Sequence, residues 1–164
     1  MDSCLTNLLN LPDVVVESQN NLNDAVLLQL SISAKGIKCQ YCYTYTEELH
    51  QTRPILVKDL PYCGQDVYLK LPRRQFYCKV CQRYITERLE FIDWRRKYTQ
   101  RYEERIYTQV KCSNVEQVSK QQHLSIKEVK NIFNHINQKR KKQVPLSSIA
   151  CQATNISAMN TSSI

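Results

Sequence analysis

The alternation of apolar and polar positions changes its period along this 164-residue chain, and the changes divide it into segments. In "DAVLLQLSIS", Val26, Leu28, Leu30 and Ile32 fall on one face of an extended strand, with Gln29, Ser31 and Ser33 mostly on the other. A β-prone run from Val14 to Val16 precedes them across the polar cluster "SQNNLND". Residues 1–38 therefore read as an N-terminal β-hairpin with one buried face. Residues 39–92 hold short β-prone pieces, "RPILVKD", "DVYLKL" and "RQFYC", punctuated by Pro54, Pro61 and Pro72. They predict a small antiparallel sheet. Over residues 93–142 the period becomes helical: Tyr98, Tyr102, Ile106 and Val110 recur every four residues, with Tyr107 beside them. Asn114 and Gln117 fit an N-cap before a short second helix. Ser125 and Glu128 form a capping box before a third, in which hydroxyl and carboxylate satisfy each other's free backbone N–H. The apolar face of that third helix is Ile126, Val129, Ile132, Phe133 and Ile136. Residues 143–164 are rich in Ser, Thr and Asn, carry no charge, and read as a disordered tail. The expected class is α+β, with hairpin and sheet followed by three helices.

Charge sharpens this division. The net charge is +8, and its placement is uneven. Residues 1–38 carry two basic and four acidic groups, residues 39–90 eight and six, and residues 91–142 thirteen and five. The three-helix segment alone thus has the whole excess, which suits a polyanionic partner, double-stranded DNA above all. A membrane surface is disfavoured because no strongly apolar helix face accompanies the charge. No apolar run is long enough to span a bilayer, and "MDSCLTNLLNLPD" lacks the basic and apolar regions of a secretory signal. A cytoplasmic, nucleoid-associated protein is expected. Only Gly36 and Gly64 are present, so a glycine-rich phosphate loop is excluded.

The eight cysteines change the picture of the sheet segment. Cys39 and Cys42 form one C-x-x-C pair; Cys78 and Cys81 form another. A metal clip, a redox centre or ordinary buried thiols are the three readings open. A redox motif wants one pair at a helix start near a βαβ unit, and neither pair has that context. Two C-x-x-C turns brought together by strands supply four thiolates in a tetrahedron, which suits one structural zinc ion with no open position. The strands between the pairs fill a 35-residue gap. Lys38, Lys79 and Arg83 flank the ligands and would offset their charge. Among the spare cysteines Cys63 is the one substitute ligand worth weighing; Cys4, Cys112 and Cys151 read as small apolar residues. With the site complete, His50, His123 and His135 read as solvated or satisfied side chains.

In the third helix, about 100° per residue sets Lys127, Asn131, Asn134 and Gln138 opposite the apolar face, with Lys130 at the edge. Amides bond adenine in a bidentate manner, and lysine contacts guanine or phosphate. A short helix, a turn and a capped longer helix make the helix-turn-helix pattern, whose second helix enters the major groove. Arg95, Arg96, Arg101 and Arg105 add candidate phosphate contacts, as do Arg73 and Arg74 on a strand and the run from Lys139 to Lys142. The bland alternative is a solvated face with a basic C-terminal turn favoured by the helix dipole.

The stretch "RPILVKDLPYCGQDVYLKLPRRQFYCKVCQRYITE" resembles the zinc-ribbon segment of insertion-sequence transposases of the ISL-three family. The likeness runs through both cysteine pairs, His50, Arg53, the "DLP" of Asp59 to Pro61, Gly64, Val67, Leu69, Leu71, Arg73, Arg74, Phe76, Arg83, Thr86 and Glu87. The hairpin and the helix-turn-helix stand in the family's order, so the likeness covers roughly residues 5–142. The resemblance implies recognition of an element's terminal inverted repeats, with cleavage left to a downstream domain whose acidic triad binds magnesium. No Asp or Glu follows Glu128, so a truncated, non-catalytic transposase portion is expected. The runner-up is a protein-interaction module docking onto a full-length transposase or another partner. Charge reversal at Lys127 and Lys130 would separate the two.

Overall fold

A computed structural model describes residues 3–143. It has a mixed sheet and four helices, an α+β fold, and divides into two compact units, one ending at Glu103 and one beginning at Glu104. The expected tail from 144 onward lies outside the described residues, and Gln143 closes the last helix.

The first unit opens with a short helix, α1 (Ser3–Leu9), which the sequence pattern did not announce. Strands β1 (Val14–Leu22) and β2 (Ala25–Ile32) form the expected antiparallel hairpin. Val26, Leu28 and Leu30 are buried, as the alternation requires. Thr6 reaches back from α1 to accept the Val16 N–H at 3.0 Å. Two long strands follow a two-residue pair, β3 (Ile37–Lys38) and β4 (Tyr45–Thr46): β5 (Leu49–Tyr62) and β6 (Gln65–Cys78). Between β5 and β6 the turn residues Cys63 (φ 48°) and Gly64 (φ 80°) both have positive φ, which the twist of a two-residue hairpin demands. The last strand, β7 (Arg83–Thr86), pairs with the end of β6.

The sheet order is β1-β2-β6-β5, with β7 also on β6. The hairpin of residues 1–38 joins the ribbon's sheet, because β2 pairs with β6 from Ala25↔Asp66 to Gln29↔Lys70. That pairing is parallel and makes the whole sheet mixed, while the ribbon's own pairs β3–β4, β5–β6 and β6–β7 are antiparallel. The physical reason is that a hairpin with one apolar face still has an unpaired edge, and β6 is long enough to occupy it. The core of this unit gathers Val14, Val16, Leu28, Leu30, Val57, Leu69 and Leu71, closed by Phe91 and Ile92 from the segment after β7.

The second unit holds the rest of α2 (Gln100–Cys112), which starts in the first unit, then α3 (Val115–Gln122) and α4 (Ile126–Gln143). Its caps are those read from the sequence. Asn114 Oδ1 accepts the Gln117 N–H at 2.8 Å, the Ser125 hydroxyl accepts the Glu128 N–H at 3.2 Å, and Glu128 accepts the Ser125 N–H at 2.9 Å. His123 ends α3 in the left-handed region (φ 52°), where a glycine is commonest. Ile106, Val118, Val129, Ile132 and Ile136 are buried, and Tyr107 stacks on Phe133 at 4.9 Å. Ile126, expected on the apolar face, is exposed at the first turn of α4.

Candidate zinc centre and nucleic-acid interface

The first C-x-x-C turn lies between β3 and β4, and the second is the tight turn from β6 into β7. The Thr46 hydroxyl donates to the Tyr77 carbonyl at 2.8 Å, and the Tyr77 N–H donates to the Glu48 carbonyl at 2.9 Å. These bonds hold the first knuckle against the end of β6, so the four sulfurs meet. Cys39 and Cys81 Sγ are 3.6 Å apart, Cys42 and Cys78 Sγ 3.5 Å, and all four lie within 4.8 Å of one another. A tetrahedron of thiolates at a zinc–sulfur distance of about 2.3 Å has edges of about 3.8 Å, so the spacing fits zinc and is far too long for disulfides. Cys39 and Cys78 are buried beside Ile85, and Cys42 and Cys81 are half-buried. The four-cysteine cluster fits one structural zinc. When bound, the ion supplies cross-linking of the two knuckles and no open position for chemistry.

Local electrostatics prepare the ligands unequally. Hydrogen bonds from Thr44 draw the Cys42 thiol down to about 6, whereas burial pushes the Cys81 thiol up to about 12. A coordinated thiol is deprotonated outright. The Tyr41 N–H points at Cys39 Sγ at 3.4 Å. Of the flanking cations, Lys79 pairs with Glu48 at 3.0 Å, and Arg83 lies over the Tyr41 ring at 4.7 Å. Tyr43 (φ 61°) and Gln82 (φ 54°), each just after a second ligand, are left-handed without being glycine. Cys63 is exposed in the β5–β6 turn and takes no part in the cluster.

On α4, Lys127, Lys130, Asn131, Asn134 and Gln138 are all exposed, while Val129, Ile132 and Ile136 are buried. Arg105 on α2 and Arg95 are exposed as well. Three other candidates are placed differently. Arg74 holds Glu87 through two bonds of 2.8 and 2.6 Å and donates to the Ala34 carbonyl at 2.7 Å. Arg96 donates to Glu103, itself fully buried, at 2.6 Å. Arg101 grips Asp59 through Nε at 2.7 Å and through Nη2, and reaches the Leu9 carbonyl at 2.8 Å. These guanidiniums are spent inside the first unit, because each meets a carboxylate withdrawn from water. Arg73 instead lies over Trp94. Sequence reasoning missed Trp94 and Arg88 altogether; a lone tryptophan between arginines was the signal available.

Two family descriptions fit this arrangement. Residues 35–81 match the zinc-finger of transposase IS204/IS1001/IS1096/IS1165, and residues 87–137 match the helix-turn-helix domain of transposase family ISL3. Both matched segments are those of ISL3-family transposases. The transposase for insertion sequence element IS1001 from Bordetella parapertussis is 29% identical over 93 residues, 57% of this chain and 23% of that protein. The match thus spans less than a quarter of the relative's length. No solved structure matches the chain. The matched segments are thus a zinc-finger and a helix-turn-helix domain, and no helix among the described residues is long and apolar enough to cross a membrane.

Proposed function

We propose that this chain recognises the terminal inverted repeats of an insertion element as duplex DNA, with α4 in the major groove. The observation that carries the reading is the exposed strip of α4, where two lysines and three amides face outward along one side. Such a strip offers bidentate amide contacts to adenine and cationic contacts to guanine or phosphate. The zinc ribbon fixes the end of the sheet that precedes it in the chain. We assign these residues binding rather than cleavage. Of their buried carboxylates, Asp59 and Glu87 are each held by an arginine, which leaves those two poorly placed to gather magnesium.

Selection from a random duplex pool with zinc-loaded protein should recover a common site. Binding should weaken steeply with salt. Lys127→Gln with Lys130→Gln should lower the slope of log affinity against log salt by up to about 2 if both touch phosphate. Asn131→Ala or Asn134→Ala should relax preference at single base pairs. Zinc-loaded protein with no salt-sensitive duplex affinity would sink the proposal.

A further inference from the structure

We propose that Arg73 and Arg88, both resting on Trp94, form a clamp for a DNA backbone phosphate on the sheet-bearing unit. This rests on the DNA-binding reading above and adds a site apart from α4.

Trp94 is the chain's one tryptophan, and it is 48% exposed. The ring can therefore be reached from solvent and serve as a platform for cations. The guanidinium carbons of Arg73 and Arg88 each lie 5.6 Å from its ring centroid. A guanidinium held by cation–π attraction spends no N–H donor on a carboxylate, and its fork of donors matches a phosphate. Two cations are thereby held near one ring. Arg53 adds a third, since it stands directly opposite Arg73 in the β5–β6 register. Like charges directly opposed across a pair of strands destabilise it.

Nothing among the described residues balances this. Among the described residues neither Arg73 nor Arg88 has a carboxylate partner, in contrast to Arg74 next door. The Arg73 Nε is enclosed and has no hydrogen-bond partner among the described residues. An enclosed donor without an acceptor lowers stability. Gathering these cations without a carboxylate disfavours folding, and an anion reaching the exposed Arg88 beside Arg73 offsets their charge. Phosphodiester is the class that combines a single negative charge with two free oxygens for such a fork.

The test uses Trp94 itself as reporter in the full, zinc-loaded chain. Duplex DNA titrated at fixed salt should change its emission with the same midpoint as a mobility shift. Arg88→Gln should weaken duplex binding about 3- to 10-fold for all sequences alike and lower the salt slope by about 1. Arg88→Lys should restore part of the loss. Arg73→Gln should behave similarly, with zinc content and urea midpoint checked. Arg88 is exposed, so its variants do not depend on that check. Suppose emission and both affinities stay unchanged while the Lys127 and Lys130 variants still lose binding. The clamp is then wrong and the α4 reading survives. An equal emission change with inorganic phosphate alone, at the concentrations used for duplex phosphate, would overturn the assignment to a DNA backbone. Absence of any duplex binding overturns both readings.

Discussion

Replacing Arg101 by Ala should destabilise the first unit more than replacing its partner Asp59 by Ala, although both changes break one ion pair. The asymmetry comes from burial. The Asp59 side chain is 1% exposed and that of Arg101 is 35% exposed. The carboxylate accepts the Thr99 hydroxyl at 2.6 Å and the Arg101 guanidinium through both its oxygens. Arg101→Ala leaves this carboxylate in the interior with one hydroxyl, and leaves the Leu9 carbonyl without its donor. Removing one partner of a buried pair costs about 3–5 kcal/mol. Asp59→Ala leaves a guanidinium that already touches water and can turn further into it. The loss is then nearer that of charge-assisted hydrogen bonds, about 1.5–3 kcal/mol.

Urea unfolding of zinc-saturated protein, followed by Trp94 emission, measures both. The expected gap is about 1–2 kcal/mol, with little change in the slope against denaturant. If Asp59→Ala costs as much as Arg101→Ala, or if both cost less than about 1 kcal/mol, the pair behaves as a surface contact and the reasoning fails. The same variants test whether Arg101 belongs to the DNA interface. Its guanidinium is committed to Asp59 and Leu9, so Arg101→Ala, refolded with a stabilising osmolyte, should bind duplex normally per folded molecule.

Two further outcomes follow from the zinc centre. Gln82→Gly should raise the unfolding free energy by about 0.5–1 kcal/mol in urea titrations, because glycine relieves the left-handed backbone at φ 54° more than it adds to chain entropy. Metal analysis should give one zinc per chain, and Cys78→Ser should abolish it and speed amide hydrogen exchange at the paired ends of β6 and β7.

The parts legible in the sequence are those whose physics is local. A capping box closes within three residues, so Ser125 and Glu128 announced the start of α4 by themselves. A C-x-x-C turn carries its own ligand geometry, so the cysteines could be paired off before any strand was placed. The β2–β6 pairing joins residues 25–29 to residues 66–70 and has no such local mark. Val26, Leu28 and Leu30 alternate identically whether the hairpin stands alone or extends a larger sheet. Helix α1 was missed for a related reason: "SCLTNLL" has no recognised cap and no charge in either end turn.

The arginines show the same limit and suggest how to read past it. Counting cations cannot tell which carboxylate will fold against them, and Asp59 lies 42 positions from Arg101. Strand geometry helps where composition does not. Arg73 and Arg74 are adjacent on β6, and period-two alternation sends successive side chains to opposite faces. Arg74 goes to Glu87 and the Ala34 carbonyl; Arg73 goes to Trp94. One of the pair is bound inside the protein and the other has no acceptor among the described residues for its enclosed Nε. A double substitution at these positions would therefore mix a loss of stability with a loss of binding. Single substitutions should separate them, with Arg74→Gln lowering the urea midpoint and Arg73→Gln lowering the salt slope of duplex binding. Under the proposed clamp, the adjacent arginines of the ribbon are two devices on opposite faces of one strand, and the face decides which of them is available to DNA.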